Sequence, residues 1–236
     1  MKQIIIILSV LLLGFTSCSD YDNYDEADSF MSGGIYDLAT KGGEEKLIPA
    51  QAPNGTEIYY YEGNVTQRLS FSCKTDGTFH NSKIFSGEYR IIPVGPFITV
   101  PEDTIRTHIP AGKELKFYVE PFLRIKSVSG SVLNDRIEAK FTITKSDKWD
   151  QQLTRYSLIY SWTQHIDDVT SMAKVDVQVN ADDETNVLGK EVTLSIPEVD
   201  GDGNKKFDRT KPIYIRIAAK TNGTNYLNYS EIIKIQ

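Results

Sequence analysis

The sequence predicts an all-β protein built from two tandem β-sandwiches. From residue 30 onward, apolar and polar residues alternate with a period of two, and turn-forming residues interrupt the alternation every 8 to 12 residues or so. Hardly any segment has the 3.6-residue periodicity of an amphipathic helix. Seven of the nine prolines lie in residues 49–121, and none lies between Pro121 and Pro197. We therefore expect a domain boundary near Pro121.

The first segment of the chain is typical of a secretory signal. A largely apolar run at residues 4–13 follows one lysine, and small residues come just before Cys18. About ten residues are too few to cross a bilayer, which needs about 20. The segment resembles the lipobox of bacterial lipoproteins, with Phe15 at the position usually held by Leu. This resemblance implies a signal peptide at 1–17, and an acylated Cys18 that anchors the protein in the lipid bilayer.

An acidic tether is predicted at residues 18–29. It contains five acidic residues and no basic one: Asp20, Asp22, Asp25, Glu26 and Asp28. Such charge blocks are usually solvated and disordered. The segment also resembles the acidic export tag of Bacteroidetes surface lipoproteins. That resemblance implies a lipid-anchored protein in the outer membrane, exposed at the cell surface.

The charge balance excludes one class of partner. Without residues 1–17 the chain has 25 basic and 32 acidic residues, a formal net charge of −7. Nucleic-acid phosphates need concentrated Lys and Arg, and the sequence has no basic cluster. We therefore expect no nucleic-acid partner.

The first domain is predicted to occupy residues 30–121. Its predicted strands are apolar-polar alternations at 31–36, 57–62, 68–74, 87–92, 104–109 and 114–120. Asp76-Gly77 is a tight-turn pair, and Phe79, Tyr89 and Ile91 are expected to face the core. This pattern resembles the transthyretin-like, or carboxypeptidase regulatory-like, domain. The resemblance implies a seven-stranded sandwich in which these positions shape the fold and catalyse nothing.

The second domain is predicted to occupy residues 122–236. Its predicted strands are 123–127, 136–144, 154–162, 174–179, 191–196, 212–220 and 231–235. The last two are similar to the closing strands of a fibronectin type III or other immunoglobulin-like sandwich. That similarity implies a core position for Tyr214 and a final strand opened by Tyr229 and Ser230. It also makes Trp162 a candidate for the inter-sheet tryptophan of such domains.

Signal, tether and two sandwiches in this order resemble a family of two-domain Bacteroidetes lipoproteins encoded beside Sus-type glycan-uptake transporters. The resemblance implies a non-catalytic surface protein that assists glycan capture or uptake, with glycan and an outer-membrane transporter complex as partners. A second hypothesis is a structural or adhesion-type module that binds protein and no sugar.

Catalytic patterns are missing from the sequence. It has no H-E-x-x-H pair, nucleophile elbow or phosphate-binding glycine loop, and Asp167-Asp168 is interpreted as part of a solvated turn. Alternation places Cys73 on an apolar strand face, so we expect a buried thiol. The sequence therefore predicts no enzyme and no cofactor.

A calcium loop is the best metal candidate. Asp200, Asp202 and Asn204 have the spacing of the first three oxygen ligands of such a loop. An EF-hand would continue with a glycine at the sixth position and a glutamate at the twelfth, where this chain has Lys205 and Lys211. A glycine-rich β-turn is therefore the favoured interpretation.

Aromatic residues are the remaining candidates for ligand binding. Exposed rings stack on the apolar C–H face of a sugar, and the chain has 13 Tyr and 2 Trp. Tyr59 and Tyr61 share one strand face while Tyr60 takes the other. Trp149 lies in a polar segment and is expected to be exposed. The candidate ligand-binding residues are therefore Tyr59, Tyr61 and Trp149.

Overall fold

The computed structural model describes residues 25–51, 55–100 and 104–236, and it confirms an all-β fold of two sandwiches. The predicted signal peptide at 1–17, Cys18 and the first half of the acidic tether lie outside the described residues. In the part that is described, no helix has the length and apolar character that a bilayer crossing requires.

The first sandwich packs two four-stranded sheets face to face. One has the order β4-β1-β8-β6 and the other β3-β2-β5-β7, with only β1 and β8 parallel among the described pairs. A 3₁₀ turn at Leu38–Thr40 follows β1. The strands are β1 Ser29–Asp37, β2 Glu57–Glu62, β3 Leu69–Ser72, β4 Thr78–Ile84, β5 Gly87–Val94, β6 Phe97–Ile98, β7 Ile105–Ile109 and β8 Leu115–Pro121.

Three features of this domain differ from the expectation. There are eight strands within the described residues, because β4 and the two-residue β6 were not predicted. The pairing of β1 with β4 shifts between Ser29 and Met31, and this irregularity interrupts the alternation that sequence reasoning relies on. The acidic tether also ends earlier than predicted. Asp28 accepts hydrogen bonds from Ser86 N and Oγ at 2.7 and 2.8 Å, and β1 begins at Ser29.

The turn before β4 has the predicted glycine chemistry. Gly77 has a φ of +86°, and a Cβ there would lie 2.3 Å from the Ile48 carbonyl oxygen. Phe79, Tyr89 and Ile91 are buried in the core as predicted. Cys73 is also buried, and burial raises the pKa of its thiol to about 12. A thiol of that pKa is not a ready nucleophile at neutral pH.

The second sandwich begins directly after the first. Its three-stranded sheet has the order β13-β10-β9, and its second sheet has the order β12-β11-β14-β15, with β16 also paired to β14. The strands are β9 Leu123–Leu133, β10 Arg136–Lys145, β11 Leu153–Ser161, β12 Ala173–Gln178, β13 Glu191–Pro197, β14 Tyr214–Thr221, β15 Asn228–Tyr229 and β16 Ile233–Lys234. A 3₁₀ turn, Ala181–Asp183, leads into a one-turn helix α1, Glu184–Val187.

Two predicted core positions of this domain were wrong. Trp162 follows the end of β11 and is 40% exposed, with the Lys211 ammonium 3.9 Å from its ring centroid. Tyr214 is only half-buried, because alternation along β14 puts Ile213 and Ile215 in the core and turns Tyr214 outward. Tyr229 is buried, but it ends the two-residue β15 and the final strand is the separate β16, so the prediction that Tyr229 and Ser230 open the final strand was wrong.

Arg216 joins the two sandwiches from the outward face of β14. Its side chain is fully buried and donates to four main-chain carbonyl oxygens at 2.9 to 3.0 Å. Two acceptors, Ala50 and Thr75, belong to the first domain. The guanidinium also lies 4.3 Å from the ring centroid of Tyr229, and burial lowers its pKa to about 10.

Further hydrogen bonds cross the same junction. The amide of Asn228 donates to the Pro96 carbonyl at 2.9 Å, and the Tyr229 hydroxyl donates to Gln51 Oε1 at 2.8 Å. These contacts are buried or partly buried. The two sandwiches are therefore held in one relative orientation by directional contacts, and not only by the short connection at Phe122.

Candidate functional site

The outer face of the sheet β3-β2-β5-β7 is the candidate site. We call it the tyrosine-arginine face and define it by five side chains: Tyr59, Tyr61, Arg68, Arg90 and Arg106. Along β2 Tyr60 is buried in the core and its two neighbours face outward, so Tyr60 lies on the opposite face from Tyr59 and Tyr61 as the sequence predicted. The register places Arg90 opposite Tyr61 on one side and opposite Arg106 on the other.

Both tyrosine rings are covered on one side by a guanidinium. Arg68 lies 4.2 Å from the ring centroid of Tyr59, and Arg90 lies 4.0 Å from that of Tyr61. A cation over an aromatic face is attracted by the ring quadrupole. A ligand on this face therefore meets arginine donors as well as tyrosine.

The arginines of this face have no close carboxylate partners in the part of the chain that the structure describes. Arg90 and Arg106 are directly opposite each other, an arrangement of like charges that destabilises a sheet. Among the described residues, no carboxylate lies within 4.0 Å of the three arginine side chains. In the same described set, the buried Nε of Arg90 has no hydrogen-bond partner. The face thus has unused donor capacity.

Two acidic residues mark the ends of the face. The Tyr59 hydroxyl donates to Glu57 at 3.4 Å. At the other end the Glu88 carboxylate lies 3.1 Å from Nδ1 of the exposed His108. Both carboxylates therefore have partners other than the arginines.

Tyr226 of the second domain is electrostatically coupled to the face. Burial raises the pKa of Tyr226, the charges of Tyr59 and Glu57 raise it further, and Arg68 lowers it. Tyr226 also lines a shallow groove of about 1150 Å³, whose polar wall includes Gln178 and the loop Thr221 to Leu227.

Some of the charged side chains that line two other cavities are already paired. In the groove, Asp168 accepts from Arg155 at 3.0 Å and from Lys174 at 3.1 Å. A cleft of about 690 Å³ between the domains is lined by Arg124. That guanidinium donates to both carboxylate oxygens of Asp37 and both of Glu120 at 2.6 to 2.9 Å. These ions serve the fold.

Trp149 is not the exposed ring that the sequence suggested. It stacks on Phe122 with ring centroids 3.8 Å apart and an angle of 20° between the planes. Its indole N–H donates to Thr221 Oγ1 at 3.0 Å. The neighbours of Trp149 in sequence are polar and gave no sign of this packing, because its partner Phe122 comes from the domain boundary. One face and the polar edge of Trp149 are therefore already in use.

Asp200, Asp202 and Asn204 form a turn closed by its own hydrogen bonds. Asp200 Oδ1 accepts from the main-chain N–H groups of Asp202 and Asn204 at 3.0 and 2.8 Å. The Lys206 ammonium lies 2.7 Å from Asp200 Oδ2, and this contact comes first among those that lower the pKa of the Asp200 carboxyl. An ammonium therefore lies against the carboxylate that a metal ion would need.

The described residues hold no catalytic arrangement that we recognise. They contain no cluster of three His, Cys, Asp or Glu side chains suited to a metal ion. Asp167 is buried and caps its own loop by accepting from Val169 N and Thr170 N at 2.8 and 2.9 Å. His80, His108 and His165 are all exposed.

Sequence reasoning found the two tyrosines of the face and missed its arginines. Arg68, Arg90 and Arg106 come from three segments, and only strand pairing brings them onto one surface. Alternation could have placed Arg90 outward, since it lies between the buried Tyr89 and Ile91. Nothing in the sequence pairs Arg90 with Arg106.

Comparison with known proteins gives the chain a family. The profile described as "Protein of unknown function (DUF3823) N-terminal domain" matches residues 42–120. The profile described as "Domain of unknown function (DUF3823_C)" matches residues 123–234. The two matches meet where β8 gives way to β9. No protein with a curated description matches the chain.

Solved structures of similar proteins have the same fold. A DUF3823 protein of Bacteroides uniformis is 24% identical, with a TM-score of 0.72 over 88% of this chain and 98% of its own. One of Parabacteroides merdae is 22% identical, with a TM-score of 0.72 over 90% and 100%. A further Bacteroides uniformis structure, described as a candidate carbohydrate-binding protein, is 19% identical, with a TM-score of 0.65 over 89% and 99%. Since the two family profiles together cover most of its length, the chain belongs to the two-domain DUF3823 family.

Proposed function

We propose that this protein is a non-catalytic surface lipoprotein that binds glycan at the tyrosine-arginine face and assists its uptake through an outer-membrane transporter complex. The lipobox-like segment ending at Cys18 and the acidic residues behind it support the location. A similar structure described as a candidate carbohydrate-binding protein supports the ligand class.

One observation carries the proposal: tyrosines and donors without partners share an open sheet surface. Tyr59 and Tyr61 are half-exposed, and the arginines beside them have no ion-pair partner among the described residues. Binding sites combine apolar or aromatic area with a few fixed polar groups. An oligosaccharide, which has apolar C–H patches and many hydroxyl acceptors, matches that combination.

A glycan array probed with the full chain tests the ligand class. We expect binding to at least one polysaccharide without release of reducing ends, because the protein is proposed to bind and not to cleave. The double variant Tyr59→Leu with Tyr61→Leu should lose that binding while keeping the wild-type fold by circular dichroism. No signal on any glycan, or turnover of one, would contradict the proposal.

Membrane attachment is tested separately at Cys18. The wild-type protein should take up labelled palmitate and be cut from whole cells by added protease. Cys18→Ala should abolish the label and release the protein from the membrane fraction. A variant that stays membrane-bound and labelled would refute the lipid anchor.

A protein-interaction role is the second candidate, and exposed apolar side chains favour it. Around the β11–β12 loop, Val169 is 77% exposed, Met172 is 49% exposed and Trp162 is 40% exposed. Exposed apolar clusters often mark protein contacts. Pull-down from solubilised outer membranes of a variant with Met172→Ser and Val169→Ser separates the candidates. This second role would be favoured if the wild-type protein bound no sugar and captured a transporter partner that the variant failed to capture.

A further inference from the structure

Guanidiniums lie against both tyrosine rings of the tyrosine-arginine face. Arg68 covers one side of Tyr59 and Arg90 covers one side of Tyr61. The N–H groups of a guanidinium form a planar fork that matches a carboxylate or a sulfate in two parallel hydrogen bonds. A neutral pyranose ring has no such matching group.

The opposed arginines also favour an anion over a neutral ligand. Arg90 and Arg106 are direct cross-strand neighbours, and paired positions of adjacent strands are about 5 Å apart. An anion between them would relieve their repulsion. By contrast, Arg124 and Arg155, which lie elsewhere in the described structure, have carboxylate partners at 2.6 to 3.0 Å.

The negative net charge of the protein does not cancel this local field. At physiological ionic strength the Debye length is about 8 Å, so exposed charges farther away are largely screened. Within the described part of the face, the three arginines outnumber the two acids, Glu57 and Glu88, whose carboxylates contact Tyr59 and His108. The central rows of the face therefore present positive charge.

From this geometry we infer that the ligand is an anionic polysaccharide, with uronate carboxylates or sulfates bound by Arg68, Arg90 and Arg106. The inference rests on the proposed glycan-binding function and specifies its substrate class. The flat sheet surface suits a linear chain, whose successive acidic groups can reach arginines on neighbouring strands. A neutral chain would leave the guanidiniums unmatched.

The test compares the same polysaccharide with and without its negative charges. Titration calorimetry of the full chain uses polygalacturonate and its fully methyl-esterified form as probes. We expect polygalacturonate to bind at least 10-fold more tightly than the ester, and its affinity to fall as sodium chloride is raised from 50 to 500 mM. Equal affinity for the two forms would overturn the inference and leave neutral glycan binding intact.

Variants then assign the binding to the face. Arg90→Gln with Arg106→Gln should weaken polygalacturonate binding at least 10-fold. The matched control is Arg136→Gln with Lys140→Gln, which removes the same charge from exposed positions of β10 in the second domain. Equal losses in both pairs would show a non-specific charge effect and overturn the assignment.

Chondroitin sulfate and a poly-glutamate peptide complete the test. Binding of polygalacturonate or chondroitin sulfate, with weaker binding of the peptide, supports an anionic glycan. Peptide binding equal to that of the glycans would overturn the inference in favour of an acidic protein. Absence of binding to these probes, together with array binding to neutral glycans alone, would overturn the substrate class but not the proposed function.

Discussion

Replacing Arg216 with Met should weaken the junction between the two sandwiches. The side chain donates four hydrogen bonds to main-chain carbonyls, and Met fills much of the same volume without donating any. At about 1 to 1.5 kcal/mol for each lost bond, the gross cost is about 4 to 6 kcal/mol. Part of it is offset because the buried guanidinium no longer has to be desolvated. We expect a net destabilisation of about 3 kcal/mol.

Differential scanning calorimetry checks this value. For a protein of this length, about 3 kcal/mol corresponds to a fall of about 6 to 12 °C in Tm. Since two of the four acceptors, Ala50 and Thr75, lie in the other domain, we expect one transition for the wild-type protein and two for the variant. The control Arg209→Met removes a half-buried arginine with surface ion pairs and should cost less than about 1 kcal/mol. An Arg216→Met protein that melts like wild type would refute the proposed role of Arg216 at the junction.

Three further predictions concern the fold. Gly77→Ala should cost about 2 to 3 kcal/mol in urea unfolding, against about 1 for Gly42→Ala, because both have positive φ but only the first would clash. Although burial opposes ionisation of Asp37, hydrogen bonds from Arg124 lower its pKa below 3.8. The stabilisation of the fold by the ionised Asp37 carboxylate should be fully present above pH 3.8 and should be lost as the pH falls through the lowered pKa. In an acid titration of the free energy of unfolding, Arg124→Gln should flatten this pH dependence. Millimolar calcium should not shift Tm, since Lys206 already pairs with Asp200.

The fold class could be predicted because a strand with one buried face has apolar residues at every second position. The predicted strand at residues 57–62 has the bounds of β2, and the opposite faces of Tyr60 and its two neighbours follow from the two-residue period of a strand. The prediction failed at β4, where pairing with β1 shifts by one position. It failed again at β6, which is only two residues long. Short or irregular strands depend on their partners and leave little periodic signal.

The candidate site was only half predictable for the same reason. Tyr59 and Tyr61 are neighbours on one strand, so their common face follows from sequence. Trp149 was misjudged because its partner, Phe122, is distant in sequence. The arginines of the face were missed because they lie on different segments, and their proximity is a property of sheet register.

The sequence by itself determined the all-β class, the buried Cys73 and the glycine turn at Gly77, since each follows from local periodicity or local backbone preference. Only the tertiary structure decided that Arg216 links the two domains and that Arg90 opposes Arg106. Strand pairing and domain docking bring together residues far apart in the chain, and local preferences do not encode which ones meet.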